Sequence, residues 1–159
     1  MLELGKSGSH GTPKGTVPVL DGEAVVATLH ASNWKEAATA KVGELSWTFH
    51  RAGWRELVGR WTADPEDAVR LRACQVSAWK GTWTVDLAGT PVEVTTASRW
   101  KGTHRFVVAG RVVAESGASG WSMRPTLDAQ PGLALDHAVF LLWFQLVLGR
   151  RAAAAAAAA

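Results

Sequence analysis

The chain has 159 residues, 47% of them apolar and 19% charged, with a formal net charge of +3. That balance excludes general disorder, which needs low hydrophobicity and high charge, and a polytopic membrane protein, because only one segment stays uncharged for long. About 150 residues precede and include the start of a terminal alanine run, enough to bury roughly 70% of the unfolded surface without disulfides or metal.

Residues 1–15 are Gly/Ser/Thr/Lys-rich and read as a flexible lead-in. Met1–Gly8 lacks the apolar stretch of a signal peptide, so a cytoplasmic location is expected, or one peripheral to a membrane. From Val17 the texture turns to short strands. Asp21-Gly22 separates Val17–Leu20 from Glu23–Leu29, a two-residue hairpin signal. Leu45, Trp47 and Phe49 alternate with Ser46, Thr48 and His50, and Ala52-Gly53 leads into Trp54–Trp61. Asp64–Asp67 is a turn, and Val69, Leu71 and Ala73 start another strand. Trp83, Val85 and Leu87 alternate with Thr82, Thr84 and Asp86. Ala88–Pro91 turns into Val92 and Val94. Phe106–Val108 and Arg111–Ala114 flank Ala109-Gly110, and Gly120–Met123 reads as one more strand. Short strands at this spacing, with 16 Gly and 6 Pro, predict a closed antiparallel barrel of about 10–12 strands.

The last segment differs in kind. Residues 131–149 have helix length, with Pro131 suited to the first turn and Gly149 followed by Arg150 and Arg151 at its end. Its apolar side chains point in every direction, so the helix is either buried or in a membrane. Leu133–Leu148 would span about 24 Å, less than a ~30 Å hydrocarbon core. Asp136, His137 and Gln145 interrupt it, which favours burial in protein over a tail anchor using 133–148. The alanines at 152–159 either extend the helix or form a low-complexity tail.

Many hairpin-linked strands followed by one all-apolar helix fit a barrel threaded along its axis. The hairpins at Asp21-Gly22 and Ala109-Gly110, the phrase Trp83–Gly89, and Gly120-Trp121 ahead of Pro131–Asp136 resemble the tubby C-terminal-like superfamily. The likeness is to its LURP-one-related and phospholipid-scramblase-like branches, over about Thr16 to Arg151. The resemblance implies one domain at 16–151 built around a central helix. It also implies a link to anionic lipids, since the superfamily includes phosphoinositide-binding tubby domains. The basic residues of those domains have no position-by-position match here. A smaller PH-like barrel is the rival fold and leaves several strands unused.

Charge is uneven along the chain: residues 69–124 carry net +5, residues 1–68 net −2. Within the basic block, Arg99, Trp100, Lys101 and Arg105 lie in one seven-residue stretch without an acid, and Arg111 follows in the next hairpin. Cations of this kind bind phosphate through charge-assisted hydrogen bonds, and a tryptophan beside them suits a membrane interface. These five residues are the candidate anion- or lipid-binding site.

Trp47, Trp83 and Trp143 are expected in the core, whereas Trp54, Trp61, Trp79 and Trp100 lie near turns and are expected to be exposed. The single cysteine, Cys74, is expected as a small buried hydrophobe. The five histidines show no metal-ligand spacing, so neither a metal nor any cofactor is expected. Gly5-Lys6-Ser7 lacks the rest of a phosphate loop, and Gly117–Trp121 lacks the second glycine of a nucleophile elbow. The expected function is therefore a non-enzymatic barrel module that binds anionic lipid headgroups or a protein partner, without specific nucleic-acid binding. An enzyme with dispersed residues in a barrel pocket is the rival.

Overall fold

In a computed structural model describing residues 1–159, twelve strands form a closed antiparallel barrel. In chain order they are β1 (Leu2–Leu4), β2 (Val17–Asp21), β3 (Ala24–Ala31), β4 (Ala37–Val42), β5 (Leu45–Gly53) and β6 (Glu56–Trp61), then β7 (Leu71–Ser77), β8 (Thr82–Leu87), β9 (Thr90–Ser98), β10 (Thr103–Val108), β11 (Arg111–Ser119) and β12 (Arg124–Ala129). Each strand pairs with its sequence neighbour, and β1 closes the ring by pairing with both β2 and β12. The helix α1 (Leu135–Ala158) follows β12.

Alternation decides the wall. In β5, Trp47 and Phe49 are buried while Thr48 and His50 are not. In β8, Trp83, Val85 and Leu87 face inward between Thr84 and Asp86. The inward residues meet α1. Leu141, Leu142, Trp143 and Phe144 point in four directions around a helix, and none is more than 1% exposed. Only a helix enclosed on all sides meets that condition. Phe49 packs against Phe140 and Trp143 at 5.4 and 5.3 Å between ring centroids, and Phe144 packs edge-on against Trp83 and Phe106. Small inward residues, including Ala38, Ala40, Ala73 and Ala114, leave room for a helix about 10 Å wide. Gly59 is needed in β6: a Cβ there would come within 3.0 Å of the Phe49 ring and 3.3 Å of Leu71.

Four expectations are corrected. Residues 1–15 are not merely a lead-in, because Leu2 and Leu4 are core residues in β1, the strand that closes the barrel. Three residues are too few to show alternation, and the Gly/Ser-rich loop after them masks the strand. The helix neither opens at Pro131 nor ends at Gly149; Pro131-Gly132 form a turn, and the helix runs from Leu135 through the alanines to Ala158. Alanine is the strongest helix former, and one glycine costs only about 1 kcal/mol. Gly120–Met123 is a turn and not a strand, with β12 starting at Arg124. Finally, Cys74 is half-buried rather than enclosed.

Candidate functional site: a basic, tryptophan-bearing rim

In an antiparallel ring, successive hairpins alternate between the two ends of the barrel. The turns β3–β4, β5–β6, β7–β8, β9–β10 and β11–β12 therefore share one end, here called the rim. The turns β2–β3, β4–β5, β6–β7, β8–β9 and β10–β11 share the other. The long β1–β2 connection leaves the rim and folds back over the wall, bringing His10 Nε2 to 3.9 Å from Glu23 in the opposite end's β2–β3 turn.

Charge separates along this axis. The five rim turns hold Lys35, Arg55, Lys80, Arg99 and Lys101 against Glu36 alone. The opposite turns hold Glu23, Glu44, Asp64, Glu66 and Asp67 against Arg70 alone. None of the five rim-turn bases pairs with a carboxylate. The single rim acid is already used. Arg151 donates to Glu36 from both Nε and Nη2, the latter at 2.7 Å to Oε1, and Arg51 lies 3.4 Å from the same oxygen. The Arg151 hydrogen bond is the main reason that the Glu36 carboxyl titrates below its ordinary range; burial opposes it and Arg51 assists.

The helix emerges at the rim. Arg150 donates to the Ser32 carbonyl at 2.8 Å in the β3–β4 turn, beside the Arg151–Glu36 pair. Deeper in, Gln145 is the buried polar exception on α1. Its Nε2 donates to the Gly102 carbonyl at 2.6 Å, and its Oε1 accepts from Ser116 Oγ and His104 Nδ1, each at 2.9 Å. These bonds fasten the helix to the β9–β10 turn and to β11. Between that turn, β11–β12 and the helix end lies a cleft of about 540 Å³, lined by Arg99, Trp100, Lys101, His104 and Arg150 with no acid.

Three rim turns share one sequence phrase, Ser-x-Trp-Lys, at 32–35, 77–80 and 98–101. In each, the serine Oγ accepts a hydrogen bond from the lysine backbone N–H, at 3.0, 3.1 and 3.2 Å. This serine-stabilised turn leaves the intervening tryptophan no neighbour to pack on. Gly81 and Gly102 then close the second and third turns at φ +64°, where a glycine is favoured. Trp34, Trp54, Trp79, Trp100 and Trp121, one per rim turn, are all at least 77% exposed.

Of the five residues expected to form the site, the fold brings together Arg99, Trp100 and Lys101, all exposed in the β9–β10 turn. Arg105 stands apart on the outer face of β10, paired with Glu115 at 2.9 Å. Arg111 begins β11 at the opposite end of the barrel, because one strand length of β10 separates it from Lys101. Among the tryptophans, Trp61 is half-buried under the Arg70 guanidinium, 3.3 Å from its ring centroid, instead of exposed. Trp34, Trp121, Lys35, Arg55, Lys80 and Arg150 are rim residues not anticipated from sequence. The recurring Ser-x-Trp-Lys phrase was the available signal for Trp34, Lys35 and Lys80.

No protein-family model matches the chain, and neither a curated protein nor a solved structure does.

Proposed function

We propose that the protein is a non-catalytic barrel module that binds anionic lipid headgroups at a membrane surface through its basic rim. The observation that carries this reading is the axial separation of charge: five unpaired bases on the turns of one end, five acids on the turns of the other. An anionic surface attracts the first end and repels the second, so the same charges that bind also orient. Each base near such a surface contributes on the order of 1 kcal/mol, decaying over a Debye length of about 10 Å at 0.1 M salt. Five give reversible, salt-sensitive attachment. The closed barrel around an apolar helix supports the likeness to the tubby C-terminal-like superfamily, a likeness of architecture that by itself assigns no ligand.

The test is co-sedimentation of the full chain with phosphatidylserine-containing and pure phosphatidylcholine vesicles at low and moderate salt. Binding is expected only to the acidic vesicles and is expected to fall with salt. The variant Arg99→Glu/Lys101→Glu loses about 2 kcal/mol from the two missing contacts alone, close to thirtyfold in affinity. Equal binding by variant and wild type, or binding indifferent to salt, refutes the reading.

A further inference from the structure

Five exposed indoles have no structural use where they stand. Trp34, Trp79, Trp100 and Trp121 are at least 96% exposed and Trp54 77%. No two of the five stack on each other, and only Trp54 has a cationic neighbour over its ring, Arg51 at 5.3 Å. Exposed tryptophans stabilise nothing in the folded chain and are a liability for solubility. Their placement is nevertheless regular. Each occupies a different turn, all five turns lie at one end, and the opposite turns hold none.

We propose that these five tryptophans form a crown that seats the barrel end-on in the interfacial layer of an anionic bilayer, around the emerging end of α1. The proposal rests on the membrane reading above and adds what charge does not require: insertion and a defined axis. Indole suits that layer because its ring is apolar and its N–H needs a polar partner, so it concentrates at headgroup depth. Four of the five stand next to a base in the chain, Trp34-Lys35, Trp54-Arg55, Trp79-Lys80 and Arg99-Trp100-Lys101. A ring entering the acyl boundary therefore carries a cation at the level of the phosphates.

The centre of the ring is also apolar. Ala152 and Ala153 share a cleft with Trp100, and Ala154 shares another with Trp34 and Trp54, so the alanine segment starts among the turns. The remaining helical residues, Ala155–Ala158, add about one exposed turn beyond them. At 1.5 Å per residue, Ala155–Ala158 measures about 6 Å, within the roughly 5–10 Å depth of interfacial helices. Arg150 and Arg151 sit at its base, again at phosphate level.

The geometry favours a bilayer over other partners. A bilayer is flat and laterally uniform, and it can engage every turn of a ring in the same way. A single-stranded nucleic acid is tracked by aromatics along a groove. A protein interface concentrates its aromatics in a desolvated centre within a polar rim. Here the aromatics are peripheral and separate.

The test uses the full chain, acidic and neutral vesicles, and lipids brominated at shallow or deep acyl positions as quenchers of tryptophan emission. Expected on acidic vesicles are a blue shift and quenching by the shallow bromines in preference to the deep. A variant with all five tryptophans changed to Ser is expected to melt as the wild type does, to lose the quenching, and to bind on the order of tenfold or more weakly. Sedimentation with unquenched tryptophans overturns the crown and leaves the charge reading standing. Shallow quenching on acidic and neutral vesicles alike upholds the crown and refutes charge selectivity. No binding to either refutes both, as does tight binding of single-stranded oligothymidine in place of vesicles. Should the five-Ser chain fail to fold, the wild-type quenching decides alone, and Trp100→Ser/Trp121→Ser replaces it for the affinity comparison.

Discussion

Gln145 shows how one buried polar side chain couples the core to the rim. It sits on a helix otherwise packed against hydrocarbon and satisfies the Gly102 carbonyl, Ser116 Oγ and His104 Nδ1 together. The acceptor role of Oε1 requires the proton of the His104 ring to be on Nδ1. Gln145→Leu keeps the volume but removes the partner of the Gly102 carbonyl and of His104 Nδ1, whereas Ser116 Oγ keeps the His104 backbone; an unsatisfied buried group costs about 1–3 kcal/mol. We expect a loss of at least 2 kcal/mol, or roughly 4–8 °C in Tm for a chain of this length, measured by thermal unfolding. An unchanged Tm would mean that water replaces the amide without cost. In sequence, Gln145 reads only as an interruption of an apolar helix. Its partners lie 29 to 43 residues away, so nothing local marks its role.

Among the elements, the helix and the long alternating strands are legible in the amino-acid pattern, whereas β1, β4 and β12 are not. The reasons differ. The helix α1 is readable because apolarity on all faces has few physical solutions, and β5 and β8 because large residues alternate with Thr and Ser. β4, Ala37–Val42, buries only Ala38 and Ala40, so its inward face has no large side chain to mark it. β12 begins with Arg124-Pro125, which reads as a turn, although Pro125 is tolerated at a strand start. β1 is three residues ahead of a long loop, yet it joins the ring. Deleting residues 1–5 removes Leu2 and Leu4 from the core, about 1.5–3 kcal/mol each, and uncovers the edges of β2 and β12 to pairing with other chains. The truncated chain is expected to melt many degrees lower and to elute as aggregates in size-exclusion chromatography. A monomer melting within about 2 °C of the full chain would show that the barrel closes without β1.

The whole molecule is a charged cylinder, basic at one end and acidic at the other. The start of the helix fits this arrangement: Asp136 lies in the first turn of α1, at the acidic end, where the positive end of the helix dipole favours a carboxylate. Linear charge counting hides this polarity, because alternate hairpins send neighbouring residues to opposite ends. Lys101 and Arg111 are ten positions apart in the chain and a strand length apart in space, which is why the net +5 block spanning residues 69–124 does not become one surface. Only the turn assignment, hairpin by hairpin, turns the scattered tryptophans and lysines into one face.

One comparison tests that polarity without altering net charge between variants. Lys80→Glu/Lys101→Glu reverses two rim bases; Lys41→Glu/Arg111→Glu reverses two exposed bases beside the opposite turns. Both take the formal charge from +3 down by four, to −1. Co-sedimentation with phosphatidylserine vesicles at low salt is the measurement. The rim variant is expected to lose binding by about thirtyfold or more while the opposite-end variant stays close to wild type. Equal losses in the two would contradict it, since net charge, and not the end of the barrel that carries it, would then govern the encounter.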